Sequence, residues 1–100
     1  MITADFGIVP IGHESINISE YVTAAVNSIK KSGLKYELTG MGTQLEAEDL
    51  DDLYSAIKDA QEEVFKLGVK RVYTVVKIDD RRDRNRSLTD KIKTVNDLLD

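Results

Sequence analysis

The sequence predicts an α+β fold with the element order β-α-β-β-α-β, an antiparallel sheet and an extra C-terminal helix. Residues 2–10 alternate between apolar and polar or small side chains, which is the two-residue period of a strand. Two later segments carry apolar residues at helical spacing. The succession of helix, glycine and strand occurs twice, with an offset of 35 residues that aligns Gly33 with Gly68. Together these observations predict a single ferredoxin-like domain over residues 1–100.

The first strand and the first helix have recognisable ends. Pro10 should end the strand that begins at Ile2. Ser19 is the predicted N-cap of the helix, because a serine hydroxyl can accept a hydrogen bond from a free amide of the first turn. A basic last turn and Gly33 predict the other end. We therefore expect a helix over residues 19–32.

The segment Gly33–Ala47 is a predicted β-hairpin. Two short strands flank a tight turn with the sequence Thr39-Gly40-Met41-Gly42, and glycine is common in such turns. The same glycines lack the spacing and the lysine of a phosphate-binding loop. We interpret them as turn residues.

The second half of the chain repeats the pattern and then extends it. Acidic residues at 48–52 predict the start of a second helix, which should end at Gly68. Val69–Ile78 is the most β-branched run and predicts the last strand. Ser87 is the predicted cap of a short amphipathic terminal helix.

Composition limits the function classes. The chain has 100 residues, no cysteine and a net charge of −4, which argues against thiolate metal sites and a general nucleic-acid binder. The first residues are acidic and alternate, unlike a signal peptide, and no apolar run is long enough to span a bilayer. We expect a cytoplasmic domain without membrane or nucleic-acid partners, and the charge leaves neutral or cationic small molecules open as ligands.

One face of the predicted sheet has no helix to cover it. Both helices should pack on the face that contains Phe6 and Val76, so the other face meets water, a partner or a ligand. Its residues mix apolar, polar and charged side chains: Thr3, Asp5, Val9, Glu37, Thr39, Gln44, Glu46, Arg71, Tyr73, Val75 and Lys77. A small domain gains by burying such a surface, so we expect a sheet-on-sheet homodimer, with the terminal helix on its own subunit or in a second interface.

The strand order predicts where the hairpin lies. In the usual order 4-1-3-2 the first and third strands are neighbours, and we expect them to run parallel. Glu46 would then lie near Val9 and Pro10, at the end of the sheet where both helices begin. This is the sequence-based reason for placing Glu46 and Ser19 in one site.

Three carboxylates on the uncovered face are candidates for binding. Asp5, Glu37 and Glu46 could bind a cation, or accept hydrogen bonds from ring or amino N–H groups of an aminopyrimidine. The alternative is ordinary cross-strand pairing with Arg71 and Lys77. No arrangement of residues specifies a bond to be broken, so the pattern does not predict an acid–base catalyst.

Polar residues before the first helix form a second candidate group. Ser15, Asn17 and Ser19 precede a helix N-terminus, where free amides favour an anion or a polar ligand. Loop and capping roles are the alternative. His13 is the single histidine, so we predict no metal site and no cofactor.

The segment Asp79–Arg86 alternates acids with four arginines. Arginines can bind phosphate in a bidentate way. The interleaved acids favour an ion-pair network or a solvated loop instead.

Taken together, the motifs resemble one family along nearly the whole chain, the small thiamine-binding proteins (YkoF-like, UPF0045, domain of unknown function 77). The matching segments are Met1–Ala4, Val9–Gly12, Ser19–Val22, Tyr36–Thr39, Met41–Thr43 with Glu46, and Arg71–Arg82. The resemblance implies a ferredoxin-like subunit, assembly into homodimers or homotetramers, and non-catalytic binding of thiamine or its hydroxymethylpyrimidine part. By motif, it implies ligand contacts from Thr43, Glu46, Ser19 and Asn17.

Two positions depart from the family pattern. The family often has proline where this chain has Gly40, and glycine where it has Ala47. The leading hypothesis is a thiamine or pyrimidine carrier, buffer or sensor. The alternatives are an enzyme that acts on a small heterocyclic or phosphorylated metabolite between subunits, and a structural or regulatory oligomer without ligand.

Overall fold

The computed structural model describes residues 1–12 and 18–100. Its elements follow the predicted order and confirm the α+β, ferredoxin-like fold class. They are β1 (Ile2–Ile11), α1 (Ser19–Lys31), β2 (Lys35–Thr39), β3 (Gly42–Ala47), α2 (Leu50–Phe65), β4 (Arg71–Asp80) and α3 (Leu88–Leu98). The predicted hairpin turn is confirmed, since β2 ends at Thr39 and β3 begins at Gly42.

The four strands form one antiparallel sheet in the order β2-β3-β1-β4. The predicted order is therefore confirmed, but the predicted parallel pairing of β1 with β3 is wrong. The connection through α1 returns the chain so that β2 runs in the direction of β1, and the hairpin then reverses β3. Thr3 lies opposite Glu46, while Pro10 lies opposite Val72 in β4. Glu46 is therefore at the opposite end of β1 from Pro10, and the expected proximity of these two residues is wrong.

Strand β1 continues one residue past Pro10, where the sequence predicted its end. Its pairing with β3 reaches only to Phe6, so beyond that point β1 is bonded to β4 alone. A proline lacks the N–H that a second neighbouring strand would need, and it is tolerated where only one neighbour is present.

The core lies between the sheet and the two long helices. Alternate residues of β1 (Ile2, Ala4, Phe6 and Ile8) face α1 and α2 and are buried, together with Leu45 of β3. Leu53, Ala60 and Val64 of α2 complete the layer from the other side. The predicted division of the strands into a helix face and an uncovered face is confirmed by the register.

The helix caps differ in part from the predictions. Ser19 is the first residue of α1 rather than its N-cap, and Ile18 occupies the N-cap position without a side-chain hydrogen bond. Asp49 caps α2 by accepting a 2.8 Å hydrogen bond from the amide of Asp52. The predicted cap of α3 is confirmed, because Ser87 and Asp90 form a reciprocal capping box.

Candidate functional site

A cavity of about 190 Å³ lies between the first half of α1, the middle of β1 and the β2–β3 turn. We call it the hairpin cavity. Its walls are mostly apolar and include Phe6, Ile8, Val22, Leu38 and Met41, with Thr43 as a polar member. The cavity exists because β1 extends past the end of β3 while α1 crosses above it. An apolar pocket with few polar groups is the usual form of a small-ligand site.

Thr43 is the polar group of this cavity with the clearest capacity to bind. Its side chain is on the helix face, opposite Phe6 in the register, and the residue is only 4% exposed. Within the described residues, its hydroxyl makes no hydrogen bond. The hydroxyl is not among the fully buried side-chain atoms that lack a partner, so it stays accessible and can bond to a ligand that enters the cavity. Thr43 is thus placed to contact a ligand in the hairpin cavity, and its hydroxyl can bond to that ligand.

Gly42 allows β3 to lie close to β1 beside the cavity. A Cβ atom there would come within 2.9 Å of Oδ1 of Asp5 and 3.0 Å of the carbonyl oxygen of Phe6. Gly40 differs, since its φ is not positive and an added Cβ would meet nothing within 4 Å. An added Cβ at Gly40 would therefore be tolerated in this chain.

Ser19 lies beside the hairpin cavity but does not line it. The residue is exposed at the start of α1. Two residues close to it in the chain, Ile18 and Val22, line the cavity. Its carbonyl oxygen accepts a 2.7 Å hydrogen bond from the hydroxyl of Thr23. Asn17, which the resemblance also implied, lies outside the described residues, as do Ser15 and His13.

Glu46 lies on the other face of the sheet from Thr43. The two residues are three positions apart in one strand, and successive side chains alternate between faces. Glu46 is 8% exposed, and its Oε1 accepts a 2.7 Å hydrogen bond from the backbone amide of Leu88, the first residue of α3. The structure therefore does not bring Glu46 together with Thr43, and the odd spacing was the sequence signal that separates them.

The start of α3 is held on the uncovered face by a small polar cluster. Besides Glu46, the cluster contains Lys91, whose Nζ donates to the hydroxyl of Thr3 at 2.7 Å and pairs with Asp79 at 2.5 Å. We call these four residues and the amide of Leu88 the α3 latch. Sequence reasoning missed it because Thr3 and Lys91 are 88 residues apart. The rest of α3 is exposed, and none of its residues is buried.

Asp5 and Glu37, the other two candidate carboxylates, differ in their contacts. Asp5 lies opposite Lys77 in the register and its carboxylate is 4.0 Å from Nζ of Lys77, which is the ordinary cross-strand pair that we kept as the alternative. Glu37 is exposed on the outer strand β2, and no ion pair joins it to another described residue. Neither carboxylate belongs to the hairpin cavity.

Two of the four arginines after β4, Arg81 and Arg82, are paired with neighbouring acids. Arg81 donates twice to the carboxylate of Asp83, at 2.7 and 3.2 Å. Arg82 donates to Asp80, with a shortest distance of 2.8 Å. These hydrogen bonds lower the pKa values of Asp80 and Asp83 below their ordinary range. The contacts favour the ion-pair network over a phosphate site.

The described residues contain neither a candidate metal site nor a candidate membrane-spanning helix. In residues 1–12 and 18–100, no group of three histidine, cysteine, aspartate or glutamate side chains is arranged to hold a metal ion. In the same ranges, none of the helices has the length and apolar character needed to cross a bilayer.

The sequence of residues 4–96 matches the family described as thiamine-binding protein. The chain belongs to the thiamine-binding protein family. A UPF0045 protein from Methanothermobacter thermautotrophicus is 53% identical, with the alignment covering 99% of this chain and 100% of that protein. A UPF0045 protein from Bacillus subtilis is 40% identical, over 99% of this chain and 98% of its own length.

A solved structure in this family agrees with the fold. A hypothetical protein from Methanocaldococcus jannaschii superimposes with a TM-score of 0.86 at 37% identity, with 95% of both chains covered. This chain and that protein therefore share the same fold.

Proposed function

We propose that this chain binds thiamine or its hydroxymethylpyrimidine part without catalysis, as a cytoplasmic homodimer or homotetramer that carries, buffers or senses the ligand. The observation that carries the proposal is the unpaired hydroxyl of Thr43 in the apolar hairpin cavity. Membership of the thiamine-binding protein family gives the ligand class.

The chemistry of the hairpin cavity fits an aminopyrimidine ring. A threonine hydroxyl can donate to a ring nitrogen or accept from the exocyclic amine. Phe6, Leu38 and Met41 supply apolar contacts for the ring faces. A cavity of about 190 Å³ is smaller than the roughly 300 Å³ of a site for a drug-sized molecule. It would therefore hold one ring, with the rest of thiamine directed outward.

The other residues implied by the family enter the proposal in different ways. Ser19 lies at the start of α1, next to Ile18 of the cavity wall, and would bind a polar substituent of the ring. Asn17 lies outside the described residues, and its contact with the ligand is proposed from the family resemblance alone. Glu46 is on the opposite face and its Oε1 is already bonded to Leu88, so its role as a ligand contact is a separate hypothesis. The net charge of −4 favours a cationic ligand such as thiamine over an anionic one.

Calorimetry with thiamine and with hydroxymethylpyrimidine tests the proposal. We expect binding of both, and Thr43→Val should weaken it by about 3- to 10-fold, which corresponds to one neutral hydrogen bond. Thr89→Val, at an exposed threonine of α3, is the matched control and should bind like the unchanged chain. Absence of heat from either compound at millimolar concentration would reject the function.

The Glu46→Gln variant tests the location of the site. If the ligand lies in the hairpin cavity, this variant should keep its affinity, because Glu46 is on the other face of the sheet. Loss of affinity in Glu46→Gln with none in Thr43→Val would move the site to the uncovered face.

A further inference from the structure

The loop of the β2–β3 hairpin has an uncommon geometry for its length. Strand β2 ends at Thr39 and β3 begins at Gly42, so only Gly40 and Met41 lie between the two paired residues. Two-residue hairpin loops usually form type I′ or II′ turns, and both types need a positive φ at the first loop residue. Neither Gly40 nor Met41 has a positive φ. Turns of the other types do not match the twist of the flanking strands, so this loop needs support from another group.

The hydroxyl of Thr39 supplies this support. It donates a 2.9 Å hydrogen bond to the carbonyl oxygen of Gly42 and accepts a 3.3 Å hydrogen bond from the backbone amide of Met41. A bond from a threonine oxygen to the amide two residues further on is one way in which a side chain stabilises a turn. The two bonds connect Thr39 with the second residue of the loop and with the first residue of β3.

We propose that Thr39 is a positioning residue of the hairpin cavity, and that its hydroxyl holds the turn in the shape that forms one wall of the ligand site. The inference rests on the proposed function, because it assigns a further residue to the same site. Residues 39–43 all line the cavity. A change in the shape of the turn therefore changes the shape of the wall.

The bond to Gly42 acts on Thr43 through one rigid unit. The carbonyl group of Gly42 belongs to the peptide plane that also contains the amide nitrogen and the Cα atom of Thr43. Fixing this oxygen therefore fixes the plane from which the side chain of Thr43 extends. That side chain carries the hydroxyl that we propose as a ligand contact.

The bond to Met41 acts on an apolar part of the wall. Met41 is 95% exposed, so contacts with the rest of the described chain do not hold its side chain in place. Among the described residues, its backbone amide donates to the hydroxyl of Thr39 and to no other group. Thr39 thus fixes the backbone from which Met41 reaches the cavity.

Thr39 is not placed to contact the ligand itself. It lies opposite Gly42, next to the pair of Leu38 and Thr43 on the helix face, so its own side chain points to the uncovered face. The hairpin cavity is on the helix face. The single proton of the Thr39 hydroxyl is already donated to Gly42. An effect of Thr39 on binding therefore has to pass through the turn.

Calorimetry with hydroxymethylpyrimidine on two Thr39 variants tests this role. Thr39→Val removes both hydrogen bonds and keeps the size of the side chain, while Thr39→Ser keeps the hydroxyl. We expect Thr39→Val to raise the dissociation constant by about 3- to 10-fold, because the turn spends less time in the binding geometry. Thr39→Ser should bind like the unchanged chain. The control Thr94→Val removes a hydroxyl with the same two kinds of bond in α3, and it should also bind like the unchanged chain.

Proline at position 40 separates positioning from contact. The φ of Gly40 is not positive and its amide donates no hydrogen bond within the described residues, so the loop has a place for proline there. Proline restricts the loop without a hydroxyl, so Thr39→Val combined with Gly40→Pro should recover most of the lost affinity. A combined variant that binds as weakly as Thr39→Val, while Gly40→Pro alone binds normally, would overturn the proposal.

NMR of the ligand-free chain keeps this proposal distinguishable from the proposed function. Exchange of the Met41 amide with water should be about 3- to 10-fold faster in Thr39→Val, since its hydrogen bond is lost, and unchanged in Thr39→Ser. Absence of binding to the unchanged chain would reject the proposed function, while the exchange rate would still report on the turn. An exchange rate that does not respond to Thr39→Val, or an unchanged affinity of that variant for hydroxymethylpyrimidine, would overturn the positioning role.

Discussion

The backbone amide of Leu88 donates a 2.7 Å hydrogen bond to Oε1 of Glu46, and this contact joins the C-terminal helix to the third strand of the sheet. The carboxylate lies at the N-terminus of α3, where a negative charge is favourable. Removing it should release the start of α3. We expect Glu46→Ala to lower the free energy of unfolding by about 1–3 kcal/mol, because it leaves a partly buried amide without a partner. Chemical denaturation measures this change.

Glu48→Ala is the matched control for that substitution, since Glu48 is exposed just beyond β3. Hydrogen exchange adds a local measurement, because the amide of Leu88 should lose protection only in Glu46→Ala. Equal stability of the two variants would show that the contact does not hold the helix.

Lys91 forms the second attachment of α3. The substitution Lys91→Met keeps the aliphatic stem but removes the bonds to Thr3 and Asp79. We expect it to lower the free energy of unfolding by about 0.5–1 kcal/mol, as for a partly exposed ion pair. Lys93→Met, which breaks only the exposed pair with Asp97, should cost less than about 0.5 kcal/mol. Denaturation of both variants compares them, and a larger loss in Lys93→Met would contradict the latch.

The two glycines of the hairpin should respond in opposite directions to alanine. Gly42→Ala forces a Cβ against the carbonyl of Phe6, so we expect it to lower the melting temperature, at a cost of about 1 kcal/mol or more. Gly40→Ala meets open space and restricts the unfolded chain, so it should be neutral or stabilise by up to about 1 kcal/mol. Thermal unfolding measures both, and similar losses at the two positions would refute the steric explanation.

The capping box of α3 should make the start of this helix sensitive to acid. The hydrogen bond from the backbone amide of Ser87 is the main cause that holds the pKa of the Asp90 carboxyl below its ordinary value. The contact with the Ser87 hydroxyl is the second cause. Because the pKa of Asp90 is lower in the folded state, its carboxylate contributes fully to the free energy of unfolding above the unfolded-state pKa of about 3.9. This contribution is lost as the pH falls through the folded-state pKa. NMR titration should therefore show α3 loosening only below about pH 4.

The Asp90→Asn variant removes that titration. Its α3 chemical shifts should no longer change over the acid range, whereas the control Asp97→Asn should keep the change. Persistence of the acid transition in Asp90→Asn would assign it to another group.

The faces of the strands and the two long helices were predictable because they depend on neighbouring residues. Alternation in Ile2–Pro10 and helical spacing around Leu53 report which side of each element is apolar. The direction of β3 relative to β1 was not predicted correctly, because strand direction depends on how the whole chain crosses the sheet. That single error moved Glu46 to the wrong end of the molecule.

By itself, the sequence determined the element order, the helix face and the hairpin turn, since propensity and periodicity are local properties of the chain. The family resemblance added Thr43 as a candidate, and the tertiary structure placed it in an apolar cavity. Only the tertiary structure decided that Glu46 lies at the opposite end of β1 from Pro10 and that Glu46 holds α3. The physical reason is that strand register and helix docking join residues far apart in the chain, such as Glu46 and Leu88.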